Sequence, residues 1–160
     1  MEERKLYDPA CKHRYPFTLA TPNGDQQIII CIDDEVKKGS RVTVEVGCKY
    51  LGMYFYGQGS DFLWIDAFAD LQRQLPEDVF LKCCLTCRHG NQCPVGNAPN
   101  EVFCMKDVVI NLKSDLYFYT EDDNERTARA KQYCNLCESY EPQSDNYYTY
   151  NDYWYFLHSK

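Results

Sequence analysis

Several features that would place this chain in a large and recognisable class of proteins are missing from its sequence. No run approaches the 18 or so consecutive apolar residues that a membrane-spanning helix requires. Residues 1–5 carry charges of both signs and lack the apolar core of a secretory signal. These absences predict a protein that stays in the cytoplasm.

The residues of common catalytic motifs are also missing. The chain has 3 histidines, His13, His89 and His158, and none lies in a recognisable nucleophile context. There is no Gly-x-Ser-x-Gly elbow, His-Glu-x-x-His helix, phosphate loop or dinucleotide fingerprint. A Cys83 or Cys93 nucleophile beside His89 is an alternative, although neighbours in sequence need not be neighbours in the fold. The sequence therefore favours a protein that is not an enzyme.

Basic residues are fewer than acidic residues in this chain. The chain has 17 Lys and Arg against 24 Asp and Glu, which gives a net charge of -7. Nucleic acid is a poor partner for such a chain, because nucleic-acid binding depends on Lys and Arg neutralising phosphates. An acidic surface instead attracts basic proteins. The predicted partner is therefore a protein, with a basic toxin as the concrete case.

Alternating and β-branched segments in the first third predict a meander of antiparallel strands. Residues 27–32 form a β-branched run, and residues 41–46 alternate with three valines on one face. The intervening residues 38–40 predict the turn of a hairpin, and residues 23–25 predict an earlier turn. A third strand is predicted over residues 49–56.

Apolar residues at three- and four-residue spacing predict one helix that packs on this meander. The helix begins at Ser60 or Asp61, either of which can cap it, and continues to Leu75. Pro76 ends it, because the residue before a proline avoids helical backbone. Residues 79–85 then predict a strand that leads into the first cysteine pair.

The second half is predicted to contain shorter elements. These are an irregular loop over 88–100, strands at 102–105 and 108–112, a surface helix over 122–132 and a final strand over 147–157. The predicted fold class is α+β, with an N-terminal antiparallel β-meander, one packed helix and a Cys-rich, zinc-knotted C-terminal lobe. We expect a single domain over residues 1–160, in which 1–82 form the meander with its helix and 83–160 form the metal-binding lobe.

The 10 cysteines are distributed unevenly along the chain. Three are scattered through the first third and are expected to be small buried thiols: Cys11, Cys31 and Cys48. The other seven crowd one segment: Cys83, Cys84, Cys87, Cys93, Cys104, Cys134 and Cys137. Clustered Cys-x-x-Cys pairs without a secretory signal are typical of metal sites rather than disulfides.

A zinc ion takes four ligands in a tetrahedron, and one Cys-x-x-Cys turn supplies two of them. Cys84 and Cys87 form such a turn. The candidates for the other two positions are Cys93, Cys104, Cys134 and Cys137, with His89 as an outside candidate. Spacing allows the second pair to be Cys134 with Cys137 or Cys104 with Cys137, and does not separate the two solutions.

Four short motifs in this region resemble those of a group of uncharacterised bacterial Cys-rich proteins. The motifs are Cys84-Leu-Thr-Cys87-Arg-His-Gly-Asn, Pro94-Val-Gly-Asn, Phe103-Cys104 and Leu136-Cys137-Glu-Ser-Tyr140. The resemblance implies that Cys84, Cys87, Cys104 and Cys137 are the metal ligands, and it implies no activity. Cys93 and Cys134 lie outside this pattern and could ligate a second ion.

An all-thiolate set predicts a structural zinc, because catalytic sites keep an open position and usually include His or carboxylate ligands. An iron–sulfur cluster is the other metal alternative. The leading functional prediction is a non-enzymatic, protein-binding role, such as a cytoplasmic immunity or inhibitor protein. The Tyr-rich tail, with acidic residues nearby, has the composition of an interface. The alternative is a thiol-dependent enzyme or a redox-responsive protein that uses the Cys83-Cys84-x-x-Cys87 cluster.

Overall fold

The first half of the chain forms a five-stranded sheet in the order β4-β3-β2-β1-β5. The computed structural model of the protein describes residues 11–60 and 62–159. The strands are β1 (His13–Thr21), β2 (Gly24–Lys38), β3 (Arg41–Tyr50), β4 (Met53–Gly59) and β5 (Phe80–Lys82). All of these pairings are antiparallel, and β5 returns to pair with β1. The predicted antiparallel meander is confirmed.

Tight turns connect the strands of the meander. Both predicted turns are present, since Thr21 pairs with Gly24 and β2 pairs with β3 across residues 39–40. A further turn lies at Leu51 and Gly52, which both have positive φ, of 48° and 78°. A two-residue hairpin loop with this backbone matches the natural twist of the strands. The predicted strand over residues 49–56 is therefore wrong, because the chain reverses in its middle.

Helix α1 (Ile65–Gln74) packs against β4 and β3. The predicted apolar stripe is confirmed, since Ala67, Phe68 and Leu71 are completely buried. The helix begins later than predicted because Trp64 has left-handed backbone, with φ of 66°. Asp61, one of the two predicted caps, lies outside the described residues. Gly57 lets the helix approach the sheet, because a Cβ atom there would clash with the Ala67 carbonyl oxygen.

The second half of the chain contains a small sheet and three short helices. The sheet has the order β6-β7-β8, with β6 (Gly90–Asn91), β7 (Glu101–Cys104) and β8 (Ala130–Gln132). The helices are α2 (Lys113–Thr120), α3 (Asp123–Arg129) and α4 (Tyr153–His158). None of the helices in the described residues is both long and apolar enough to cross a membrane.

Several sequence predictions for this half need correction. The strand at 102–105 and the surface helix within 122–132 are present as β7 and α3, and α3 buries none of its residues. Residues 108–112 form no strand, and the tail forms helix α4 instead of a strand. The helical tail places Tyr153, which is 4% exposed, against α1, and this contact outweighs the strand preference of tyrosine. The fold class α+β is confirmed.

An aromatic cluster joins the two halves of the chain. The ring of Phe68 lies 5.2 Å from that of Phe17. It also lies 5.8 Å from the ring of Tyr133, and these two rings are in an edge-to-face arrangement. Tyr133 is 1% exposed, and its hydroxyl donates a hydrogen bond to the Leu63 carbonyl. The core of the sheet therefore continues into the Cys-rich segment.

We expect Phe68→Ala to lower the free energy of unfolding by about 3–5 kcal/mol, because it removes the central ring of this cluster and leaves a cavity. Phe118→Ala is the matched control, since Phe118 is 82% exposed and its loss should change stability by less than about 0.5 kcal/mol. Urea unfolding followed by circular dichroism measures both. Equal losses in the two variants would contradict the central position of Phe68.

Candidate metal centre

Four cysteines from three separate segments line one small cavity of about 20 Å³. They are Cys84, Cys87, Cys104 and Cys137, the set that the resemblance implied. The remaining lining residues are His89, Gly90, Val102, Lys106 and Ser139. A water molecule needs roughly 10–15 Å³ of such space, so the cavity has room for one small species and not for an organic substrate.

Cys84 and Cys87 are presented by a short 3₁₀ helix, Cys84–Thr86. The Thr86 hydroxyl donates to the Leu81 carbonyl at 2.8 Å, which anchors the turn to strand β5. The Leu85 carbonyl accepts from the side-chain amides of Gln143, at 3.0 Å, and Asn151, at 2.9 Å. These groups are buried, so each bond removes an otherwise unpaired polar group.

Cys104 is brought to the turn by strand pairing. It lies opposite Gly90 in the β6–β7 ladder. Gly90 must be a glycine here, because a Cβ atom would clash with the carbonyl oxygen of Cys84. The Asn151 side chain also donates to the Gly90 carbonyl, at 2.9 Å. The close backbone approach of residues 84 and 90 therefore sets the distance between the turn and β7.

Cys137 arrives on a segment that runs along the outside of the turn. The Cys84 amide donates to the Asn135 carbonyl at 2.7 Å, and the Arg88 amide donates to the Glu141 carbonyl at 2.7 Å. The Gln143 amide donates to the Thr86 carbonyl at 3.2 Å. Residues 135–143 are thus bonded to the turn on both sides of Cys137.

The thiols influence one another electrostatically. Burial, and after it the neighbouring thiols of Cys83, Cys87, Cys104 and Cys137, raise the pKa of the Cys84 thiol to about 12. Burial also raises the pKa of Cys87, against the opposing effect of the nearby Glu141 and His89 backbone amides. Without a cation, the cluster therefore favours protonated thiols.

The donor set fits a zinc ion in its chemistry, although the side chains do not converge fully. Across residues 11–60 and 62–159, no three or more His, Cys, Asp or Glu side chains form a group that could hold a metal as they stand. His89 borders the cavity, its Nε2 atom lies 4.0 Å from Glu141, and burial lowers its pKa. Which ligands bind, and whether the ion is zinc, stay predictions.

The other clustered cysteines lie elsewhere. Cys83 is fully buried, with its sulfur 3.9 Å from the Thr86 hydroxyl, and burial raises its pKa to about 12. Cys93 is buried in the loop, where its amide donates to the Asn97 side chain. Cys134 is half-buried, and its thiol lies 3.7 Å from the Gln132 side-chain oxygen.

The prediction for the early cysteines is wrong in part. Cys48 is buried, as expected. Cys11 and Cys31 are joined in a disulfide, with their Cα atoms 6.1 Å apart, and are not separate thiols. The sequence offers no Cys-x-x-Cys spacing for this pair. The antiparallel pairing of β1 with β2 brings Cys31 opposite Arg14, which lies close to Cys11 along the chain.

Sequence reasoning missed the residues that support the site. Asn151 and Gln143 are remote from the turn in sequence, and neither belongs to a motif. Lys106 borders the cavity two residues after Cys104, but a single lysine carries no signal in a sequence. Asn151 is only 6% exposed, and this burial can be recognised only in the folded chain.

Comparison with known proteins assigns neither a family nor a function, because no family model, curated protein or solved structure matches the chain. The resemblance to Cys-rich bacterial proteins therefore stays a prediction.

We expect Asn151→Ala to lower the free energy of unfolding by about 1–3 kcal/mol, because the buried carbonyls of Leu85 and Gly90 each lose a donor and only that of Leu85 keeps its bond from Gln143. Asn146→Ala is the matched control, since Asn146 is exposed and should change stability by less than about 0.5 kcal/mol. Thermal unfolding of the two variants measures the difference. A loss for Asn146→Ala as large as that for Asn151→Ala would count against the supporting role of Asn151.

Proposed function

We propose that Cys84, Cys87, Cys104 and Cys137 hold one structural zinc ion that knots the C-terminal half together. The observation that carries the proposal is the single small cavity lined by these four sulfur-bearing residues and by no other cysteine. Four thiolates are a common structural zinc site. Clustered cysteines that include Cys-x-x-Cys pairs are typical of metal sites.

Charge balance supports the same assignment. Four thiolates around a divalent cation carry a net charge of −2. Lys106 borders the cavity, and Arg88 follows Cys87 directly. The backbone amides of Glu141 and His89 lower the pKa of Cys87, against the larger effect of burial. Cations and amide donors around a thiolate cluster stabilise its negative charge.

The small volume of the cavity supports a structural rather than a catalytic zinc. A catalytic ion needs an open position where substrate can bind, and a cavity of about 20 Å³ offers no room for one. The ion instead ties residues 84–90, the Cys104 strand and the Cys137 segment together. These segments contain little regular structure, so the metal would replace the stabilisation that longer strands give.

We expect the purified protein to hold one zinc ion per chain by native mass spectrometry and to show zinc anomalous scattering at this cavity. Cys87→Ser and Cys104→Ser should lose the ion, whereas Cys93→Ser, a buried cysteine outside the cavity, should keep it. Zinc at such sites contributes about 10–16 kcal/mol of apparent folding free energy, comparable to the whole stability of a domain, about 5–15 kcal/mol.

Chelation should therefore unfold the C-terminal half first. In hydrogen exchange, residues 84–104 and 133–143 should lose protection while β1–β4 keep theirs. Unchanged melting after exhaustive chelation, or full zinc occupancy in Cys104→Ser, would overturn the assignment.

Beyond the metal, we propose a non-enzymatic protein-binding role, with a cytoplasmic immunity or inhibitor protein against a basic partner as the concrete form. The net charge of -7 supports a basic partner. Tyr147, Tyr148 and Tyr155 are 52%, 38% and 67% exposed. Tyrosine is enriched at protein interfaces, and acidic residues near these tyrosines in sequence, such as Asp145 and Asp152, would suit a basic partner.

The free cysteines support a cytoplasmic location, whereas the disulfide opposes it. Seven thiols clustered over residues 83–137, none of them in a disulfide, are typical of a reducing compartment. The Cys11–Cys31 disulfide is typical of an oxidising one. The alternative function is a thiol-dependent enzyme or redox-responsive protein using the Cys83-Cys84-x-x-Cys87 cluster. Its enzyme form has less support because Cys83 is 0% exposed and Cys87 is buried.

For an immunity protein, we expect a gene for a basic toxin to lie beside its own. Co-expression should then rescue cells from growth arrest by that toxin, and the two proteins should form a complex. Tyr155→Ala should weaken the complex by about tenfold or more, as for an interface anchor. Tyr117→Ala is the matched control on α2, where the ring is 36% exposed. Growth that does not depend on co-expression would contradict this role.

A further inference from the structure

Cys137 differs from the other three proposed ligands in its contact with solvent. It is exposed, whereas Cys87 is buried and Cys84 and Cys104 are half-buried. Besides the thiol cavity, Cys137 lines a second, open cavity of about 630 Å³. The floor of this cavity comes from the outer face of the sheet, at Thr18, Gln27 and Lys82.

Cys134 lines the same open cavity but does not line the thiol cavity. It is half-buried and lies three residues before Cys137, at the end of a turn that leads into the Cys137 segment. The open cavity therefore contains one proposed ligand and one non-ligand thiol in Cys-x-x-Cys spacing. Such spacing allows a disulfide to form readily.

We propose that Cys134 and Cys137 are a peroxide-sensitive dithiol whose oxidation removes one ligand and releases the zinc ion. This inference rests on the proposed zinc site. The open cavity is the route by which hydrogen peroxide reaches Cys137 without unfolding. Cys84 and Cys87 are shielded on that side by residues 135–143, which are bonded along the turn.

The chemistry balances in two steps. The Cys137 thiolate sulfur attacks one peroxide oxygen, the O–O bond breaks, and a sulfenic acid and a hydroxide ion form. The Cys134 sulfur then attacks the sulfenic sulfur, the S–O bond breaks, and the Cys134 proton leaves with the hydroxyl group as water. The two sulfurs lose two electrons in total, peroxide gains them, and the products are one disulfide, one hydroxide and one water.

Oxidation would loosen a defined part of the molecule. Three remaining thiolates hold zinc less tightly than four, and a disulfide at residues 134 and 137 draws the Cys137 sulfur toward Cys134. Residues 135–143, which bond Cys84 and Arg88, would then no longer be held by the zinc ion. Reduction of the disulfide restores the fourth ligand.

The test uses full-length, zinc-loaded protein treated with hydrogen peroxide, with zinc release followed by a chromogenic indicator. Trypsin leaves residues 132–160 as one peptide that contains Cys134, Cys137 and no other cysteine. We expect zinc release together with the loss of two hydrogen atoms from this peptide, and reversal of both by dithiothreitol. Cys134→Ser should release zinc at least about tenfold more slowly, and Cys93→Ser should behave as the wild type.

The outcomes separate the two proposals. Protein that takes up no zinc overturns the zinc site and this inference with it. Protein that binds zinc but releases it as fast in Cys134→Ser as in the wild type overturns only this inference. A disulfide from Cys137 to a cysteine outside the 132–160 peptide would overturn it as well.

Discussion

The buried backbone of the turn at residues 83–90 is the constraint on which the C-terminal half depends. Three of its amides, those of Thr86, Cys87 and Gly90, bond carbonyls within the turn. Its other buried carbonyl and amide groups need partners from elsewhere in the chain. Asn135, Glu141, Gln143 and Asn151 supply these partners, as backbone or side-chain groups. The half of the molecule with least regular structure is therefore organised around one short 3₁₀ helix rather than around a sheet.

The same hydrogen bonds explain why four cysteines that are distant in sequence line one cavity. The pairing of β7 with Gly90 places Cys104 at the cavity. The segment that bonds residues 84 and 88 places Cys137 there. Without a cation, burial and the neighbouring thiols favour the protonated form of Cys84. The proposed zinc ion would bind the thiolate forms instead, and the sheet has an apolar core of its own.

The proposed roles of the molecule are distributed over different surfaces. The thiol cavity is closed and suits one ion, the open cavity beside Cys137 admits a small oxidant, and the exposed tyrosines near the C-terminus suit a protein. If the partner surface and the zinc site are coupled, the coupling passes through residues 135–155, which contribute to both. Arg88 is one such link, since it bonds Glu141 and stacks 3.5 Å above the Tyr147 ring.

The sequence alone determined the meander, the apolar stripe of α1 and the α+β class, because each follows from local spacing of apolar residues and turn residues. The spacing of the cysteines left two candidate sets of four metal ligands, and only the resemblance favoured the set with Cys104 over the set with Cys134. The tertiary structure decided which cysteines share a cavity, because that depends on strand pairing and on partners up to 66 residues away, such as Asn151 for Leu85. It also turned the tail into a helix, since burial of Tyr153 against α1 outweighs local preference.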